Sequence, residues 1–283
     1  MSIPSAIFLG LLQGLCEFLP VSSSGHLLLA RILLGIQTDS PALKMLDILL
    51  HVGTLIPVIV IFWPDWLDMI RHPVKNNTFR LLLVASLPTL VVYILAKVLF
   101  PEVGGFSVFD NGWFLGVSFL ITAVFLLICD RMAQSPRCHQ NTISYFTAFL
   151  MGCFQGIGMI PGISRSGSTI TGGVCAGTNK SVAAKFSFMM SAPAILGSML
   201  MEGKDAIEEG YINEIEWLPT LIGVFVACAA GFFAIRFMLK IISKMPMSVF
   251  ALYLAVIGVL YLLMQFIGNP AFPTFAVISA PLA

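Results

Sequence analysis

Six stretches of this chain are apolar over close to the length an α-helix needs to cross the hydrocarbon core of a bilayer, about 20 residues. They run roughly Leu46–Trp63, Leu81–Phe100, Trp113–Cys129, Phe186–Met201, Trp217–Phe237 and Val249–Phe266, the fourth short and interrupted by Pro193. Of the 283 residues, 58% are apolar and 10% are charged, where a soluble domain carries about 25% charge. A soluble fold of this size cannot bury so much apolar surface behind an ionic exterior. The chain therefore reads as an all-α polytopic membrane protein, one membrane domain over residues 1–283. A nucleic-acid binder, a secreted disulfide scaffold and a cytosolic dinucleotide-binding enzyme are excluded. The net charge of +1 calls for no polyanionic partner. The six cysteines form no close Cys-x-x-Cys pair and read as small buried hydrophobes. No basic segment precedes the first apolar stretch, so the N-terminus is expected to belong to the mature fold.

Two further regions enter the apolar range but break in the middle. Ile3–Leu34 is interrupted by Pro20-Val21-Ser22-Ser23-Ser24-Gly25, and Phe146–Val174 by Pro161-Gly162-Ile163-Ser164-Arg165-Ser166-Gly167. Backbone that stops being helical at membrane depth must have its polar groups met by protein, water or ligand. Both regions are expected to form re-entrant helical hairpins around a cavity.

The connecting charges set an orientation. Arg71, Lys75 and Arg80, then Arg131 and Arg137, Lys180 and Lys185, and Arg236, Lys240 and Lys244 fall on one side of six spans. The other side receives Glu102, Asp110 and the acidic segment Glu202–Glu216, with Lys204 its only base. Positive charge marks the cytoplasmic side, which places both termini outside. The first hairpin then enters from outside and the second from inside.

Displacing the sequence by 142 residues lays the two broken regions over each other. Gly10, Gln13 and Gly14 meet Gly152, Gln155 and Gly156; Ser22, Ser24 and Gly25 meet Ser164, Ser166 and Gly167. Each hairpin is followed by three spans, and an odd number of crossings inverts the second unit. An inverted repeat over approximately residues 1–130 and 143–270 is expected. Hairpins from opposite leaflets would bring two helix N-termini to one buried volume, an arrangement suited to an anion. Arg165, costly in lipid unless paired or facing a polar cavity, locates it.

Around these tips the residue types suggest chemistry. Gln13 and Glu17 share a helix face four residues apart. Pro20 ends the first arm, serines cap the second, and His26 falls in its first turn. Buried Glu17 demands a partner, and Arg165, His26 or a divalent cation could supply it. A structural Glu17–Arg165 pair and a catalytic carboxylate are both consistent with that requirement. Arg165 offers a five-donor fork that suits phosphate oxygens. Ser23 occupies the position that Arg165 takes in the other half, which marks it as a nucleophile or phosphate contact. His51, in mid-span with Asp47 four residues earlier, reads as structural. His72 and His139 lie in basic connections and carry no site. The paired methionines near residues 189 and 199 read as packing.

Both tip motifs resemble those of the bacitracin-resistance type of undecaprenyl-diphosphatase, a family of bacterial integral membrane phosphatases. The first is Gln13-Gly-Leu-Cys-Glu17-Phe18-Leu19-Pro20-Val21-Ser22-Ser23-Ser24-Gly25-His26. The second is Pro161-Gly162-Ile163-Ser164-Arg165-Ser166-Gly167, followed by Ser168-Thr169. The resemblance implies removal of the terminal phosphate of undecaprenyl diphosphate at the outer side of the cytoplasmic membrane, recycling the carrier for peptidoglycan. It implies a divalent cation, Mg2+ or Ca2+, with Glu17 as its ligand and the essential carboxylate. Arg165 is then the phosphate clamp, His26 the acid/base and Ser23 a nucleophile. Gln13, Ser22, Ser24, Gly25, Ser164, Ser166, Gly167 and Thr169 are the expected substrate contacts. Many family members have glutamate where this chain has Gln13, which removes one ligand from a two-carboxylate metal scheme.

Two routes stay open: attack by Ser23 after His26 takes its proton, or a water activated by His26. Inverted repeats with broken helices also characterise secondary transporters, so a carrier or flippase for a prenyl phosphate or other anion is the alternative. The transporter gives no special reason for Glu17, Ser23 and His26 to assemble. A homo-oligomer is compatible with the sequence, which does not specify one.

Overall fold

A computed structural model describes the chain except for residues 37–40, 100–111, 136–137, 139, 209, 211–214 and 274–283. The expectations for Phe100, Glu102, Asp110, Arg137, His139 and part of the acidic segment lie outside the described residues. Among the described residues the fold is helical throughout: α1 (Ile3–Phe18), α2 (Ser23–Leu34), α3 (Pro41–Ile61), α4 (Trp63–Arg71), α5 (Asn77–Leu99), α6 (Leu115–Ala133), α7 (Tyr145–Ile157), α8 (Arg165–Cys175), α9 (Lys180–Glu208), α10 (Trp217–Ile241) and α11 (Ser248–Phe266). Helices α3, α5, α6, α9, α10 and α11 are long and apolar enough to cross a membrane, and α1, α2 and α7 are shorter apolar helices. This is a multi-pass helical membrane protein.

Local sequence explains most of the boundaries. Serine hydroxyls cap four helix starts: Ser2 accepts from Ser5 N–H, Ser22 from Gly25 N–H, Ser144 from Thr147 N–H and Ser164 from Gly167 N–H. Each satisfies a donor that the first helical turn would leave open. Pro57, Pro88 and Pro193 lie inside α3, α5 and α9. The fourth span thus differs from expectation. Instead of being short and interrupted, α9 runs unbroken through Pro193, because neighbouring groups in a bundle can meet the carbonyl that proline frees. Helix α4 is a further difference. It carries Asp65, Asp68 and Arg71, so it is too polar to register as part of an apolar run.

Between helices in lipid there is little hydrophobic driving force, so association rests on close packing at small residues. The two first arms use the same device. A Cβ on Gly10 would collide with the Gly223 carbonyl of α10, and one on Gly152 with the Ala85 carbonyl of α5. One turn later, a Cβ on Gly14 would come within 2.5 Å of the Ala227 carbonyl oxygen, and one on Gly156 within 2.7 Å of Val92. Helix α1 runs parallel to α10, from the Met1–Glu216 ion pair to Phe18 beside Gly231. Helix α7 runs parallel to α5 in the same way, starting where the Tyr145 hydroxyl donates to Asn77. Helices α6 and α11 run antiparallel: Gly116 meets Gly258 near one end, and Asp130 accepts from the Met247 and Ser248 N–H groups at the other. The breaks after α1 and α7 are thereby held deep in the bundle, against α6 and α9. Phe18 packs edge-on to Phe188 of α9 with centroids 5.6 Å apart. Outward positions such as Phe225, Leu252 and Leu87 stay exposed, as a lipid-facing surface requires.

These contacts set an expectation for stability in detergent. Gly10→Val and Gly152→Val each force a side chain into a backbone carbonyl and should cost about 3 kcal/mol or more. Gly197→Val in α9 meets nothing within 4 Å and should leave the thermal midpoint nearly unchanged. Melting curves of the three purified variants check this.

Candidate active site

The break between α1 and α2 touches the break between α7 and α8. The Ser166 hydroxyl donates to the Leu19 carbonyl at 3.0 Å, and the Gly162 N–H points at the Ser24 hydroxyl at 3.5 Å. A side chain on Gly25 would lie 2.9 Å from the Gly162 Cα and 2.7 Å from Phe119, so this crossing requires glycine. Gly162 itself has φ +87°, a left-handed turn that glycine adopts without strain. Helices α2 and α8 both begin at this contact, and their positive dipole ends converge on it.

At the contact a carboxylate meets a guanidinium across the two halves. Arg165 Nη2 donates to Glu17 Oε1 at 2.5 Å, with side-chain exposures of 15% and 5%. Glu17 Oε2 accepts from the Ser23 hydroxyl at 2.6 Å and from Gln13 Nε2 at 3.1 Å. Glu17 therefore joins the first arm, the second arm and the opposite hairpin. Arg165 Nη1 is buried with no hydrogen-bond partner among the described residues, so the fork retains donor capacity beside the helix starts.

His26 is held elsewhere. Its Nδ1 donates to the Ser22 carbonyl at 2.8 Å, and its Nε2 accepts from the Tyr253 hydroxyl at 2.8 Å. The Ser22 carbonyl one turn back holds the ring, while the Ser23 hydroxyl donates to Glu17. Ser22 makes this possible with φ +71°, a conformation rare for a residue with a side chain. The twist aims its carbonyl at the imidazole while its hydroxyl caps α2. Sparsely populated backbone of this kind concentrates at functional sites.

The remaining expected contacts divide in two. Ser22, Ser24, Ser164 and Ser166 lie at the tip contact: the Ser22 and Ser24 hydroxyls are 3.4 Å apart, and those of Ser164 and Ser166 are 3.3 Å apart. Gly167 packs within van der Waals reach of Ser164 and Leu126. Thr169 sits one turn inside α8, where its hydroxyl meets Ser187 of α9 at 2.6 Å and the Arg165 carbonyl at 2.9 Å. Gln155, the counterpart of Gln13, donates to Thr89 of α5 at 3.1 Å instead of to an acid.

Three participants have no motif in the sequence. His51 of α3 brings Nε2 to 3.7 Å from Glu17 Oε2 while its Nδ1 donates to the Asp47 carbonyl at 2.8 Å. Arg31 of α2, which is buried, pairs with Asp47 through both guanidinium nitrogens and fixes α3 against α2. Tyr253 of α11 holds His26. The i, i+4 spacing of Asp47 and His51 was the one available signal for a polar face on α3.

Among the described residues no three His, Cys, Asp or Glu side chains gather into a metal site, and the oxygens available to a cation here are few. Glu17 supplies a carboxylate, Gln13 Oε1 is buried with no partner among the described residues, and His51 Nε2 is directed at the same carboxylate oxygen. Carboxylate and amide oxygens suit a hard divalent cation.

Comparison with known proteins follows this geometry. The family model "Bacitracin resistance protein BacA" matches residues 6–260. The chain belongs to this family. Its relatives include an undecaprenyl-diphosphatase from Halothermothrix orenii, 39% identical over 265 residues, covering 93% of this chain and 98% of the relative. The one from Carboxydothermus hydrogenoformans is 37% identical over the same coverage. Another, from Methanosphaera stadtmanae, is 33% identical over 286 residues, covering 94% of this chain and 99% of the relative. The matched residues run from within α1 to within α11, and these relatives carry the name of a phosphatase.

The ion pair has a measurable signature. Arg165→Ala strands a buried carboxylate and should cost roughly 3–5 kcal/mol of stability. The double variant Glu17→Ala/Arg165→Ala should be less destabilised than the sum of the single changes by more than about 1 kcal/mol. A double-mutant cycle on unfolding midpoints in detergent reads the coupling directly.

Proposed function

We propose that the chain hydrolyses undecaprenyl diphosphate to undecaprenyl phosphate and inorganic phosphate, within the cytoplasmic membrane and with its site open to the outer side. The observation that carries this reading is the Arg165–Glu17–Ser23 chain of contacts at two helix starts. It combines an anion clamp, a carboxylate and a hydroxyl aimed at that carboxylate. The names of the relatives supply the substrate class. The parallel pairing of α1 with α10 and of α7 with α5 supports two re-entrant hairpins in an inverted repeat, over approximately residues 1–130 and 143–270.

In this mechanism the diphosphate head enters between the hairpins and the prenyl chain stays in lipid. Arg165 exchanges Glu17 for phosphate oxygens, and the helix dipoles stabilise the charge that spreads over the transferring phosphoryl group. Ser23 Oγ attacks the terminal phosphorus as its proton passes to Glu17. The anhydride P–O bond breaks, undecaprenyl phosphate leaves, and phosphoserine remains. Water then attacks that phosphorus, taking the place of the Tyr253 hydroxyl at His26 Nε2 and passing its proton there. The Ser23 O–P bond breaks, Glu17 returns the proton to Ser23, and His26 releases its proton to solvent as phosphate departs. Direct attack by a His26-activated water is the competing route. Glu17, with the Gln13 amide oxygen beside it, would hold the divalent cation, Mg2+ or Ca2+, which would supply further neutralisation of the diphosphate. Transport of a prenyl phosphate is less well supported, because the positions 142 residues from Glu17 and His26 are Met159 and Ser168, and the chemistry sits at one place only.

Phosphate release from undecaprenyl diphosphate by purified protein in detergent tests this. Arg165→Ala and Glu17→Ala should each lower kcat about a thousandfold, and a chelator should suppress turnover that added Mg2+ or Ca2+ restores. Radiolabelled phosphate should be trapped on Ser23 by acid quench. Turnover in Ser23→Ala above about a tenth of wild type would replace the serine route with activated water. Movement of lipid phosphate across vesicles without hydrolysis would replace the phosphatase with a carrier.

A further inference from the structure

The imidazole of His26 is fixed on three sides by groups that belong to different parts of the chain. Its Nδ1 faces the Ser22 carbonyl at 2.8 Å, and a carbonyl oxygen can only accept. The hydrogen-bond network therefore assigns the ring proton of neutral His26 to Nδ1 and leaves Nε2 as an acceptor. The Tyr253 hydroxyl, 2.8 Å away and 227 residues along the sequence, fills that position. The Tyr253 ring also stacks on the imidazole, with centroids 5.6 Å apart and planes 9° from parallel. On the remaining side Phe119 packs at 5.4 Å and 58°. Phe119 is fully buried and is the same ring that closes on Gly25, so it leaves the imidazole little room to turn.

We propose that Tyr253 is a positioning residue for His26: its ring sets the plane of the imidazole, and its hydroxyl holds Nε2, in the resting site, in the place that the attacking water takes over. The backbone twist at Ser22 chooses the tautomer, and the tyrosine from α11 chooses the aim. The inference rests on the reading of His26 as the acid/base group of the diphosphatase. Tyr253 acts through His26 and is not itself placed on the substrate. The two functions of the tyrosine are separable, because phenylalanine keeps the ring and deletes the hydroxyl.

The test pairs kinetics with a spectroscopic signature. Tyr253→Phe should lower kcat for undecaprenyl diphosphate about tenfold or more while KM stays within about twofold. Tyr253→Leu, which loses ring and hydroxyl together, should fall further. In protein labelled with 15N at its four histidines, the His26 signals are those missing from His26→Gln. Wild type should show a protonated Nδ1 and an unprotonated Nε2, and the Nε2 resonance should shift in Tyr253→Phe. A kcat within about twofold of wild type in Tyr253→Phe, an unmoved Nε2 resonance, or a wild-type His26 protonated on Nε2 each overturns the proposal. The nitrogen spectra need neither substrate nor turnover. Absence of phosphate release by the wild type would remove the diphosphatase reading, and the spectra would still test the hydrogen bond.

Discussion

One ion pair, Glu17 with Arg165, ties the molecule together. A lone carboxylate or guanidinium is expensive away from water, and this protein buries one of each on separate hairpins 148 residues apart. Neither hairpin can hold its charge at that depth without the other. The rest of the architecture serves to bring them within hydrogen-bonding distance. Glycines let the first arms lie against α10 and α5, and glycines again let the two tips cross. The cost of isolating either charge is what makes the meeting of the tips specific.

The two broken regions share their scaffolding but divide their chemistry. Glycine, glutamine and the capping serines recur 142 residues apart because both hairpins need close packing and a satisfied helix start. The reactive positions do not recur. Glu17 is matched by Met159, His26 by Ser168, and Arg165 by Ser23. Even the shared glutamines part ways, Gln13 donating to an acid and Gln155 to a threonine on the neighbouring helix. A symmetric frame thus encloses an asymmetric centre.

The sequence revealed the features that depend on local pattern. Long apolar runs marked the six membrane-length helices, serines after the break marked the start of α2, and the cost of a buried charge marked Glu17 as needing a partner, with Arg165, His26 and a cation as the candidates. Features that arise from tertiary contact were hidden. His51 looked structural because the only polar neighbour visible in the sequence was Asp47, while the carboxylate it faces belongs to another helix. Tyr253 stands in an apolar run where a tyrosine reads as part of a lipid-facing surface. Arg31 gave no sign of burial until Asp47 appeared beside it. The orientation of His26 was hidden for a conformational reason: Ser22 adopts a backbone twist, φ +71°, that no residue spacing announces, and its carbonyl holds the imidazole.

The long sequence separation within the ion pair bears on how the protein is made. Glu17 leaves the ribosome well before Arg165 has been synthesised. During that interval Glu17 has Gln13, Ser23 and His51 to face but not the guanidinium that pairs with it in the finished protein. The Glu17–Arg165 contact can therefore form only after the break between α7 and α8 has been made, so the earliest helix of the chain completes its contacts late. Biogenesis, on this view, ends with the docking of two halves and the neutralisation of both charges at once.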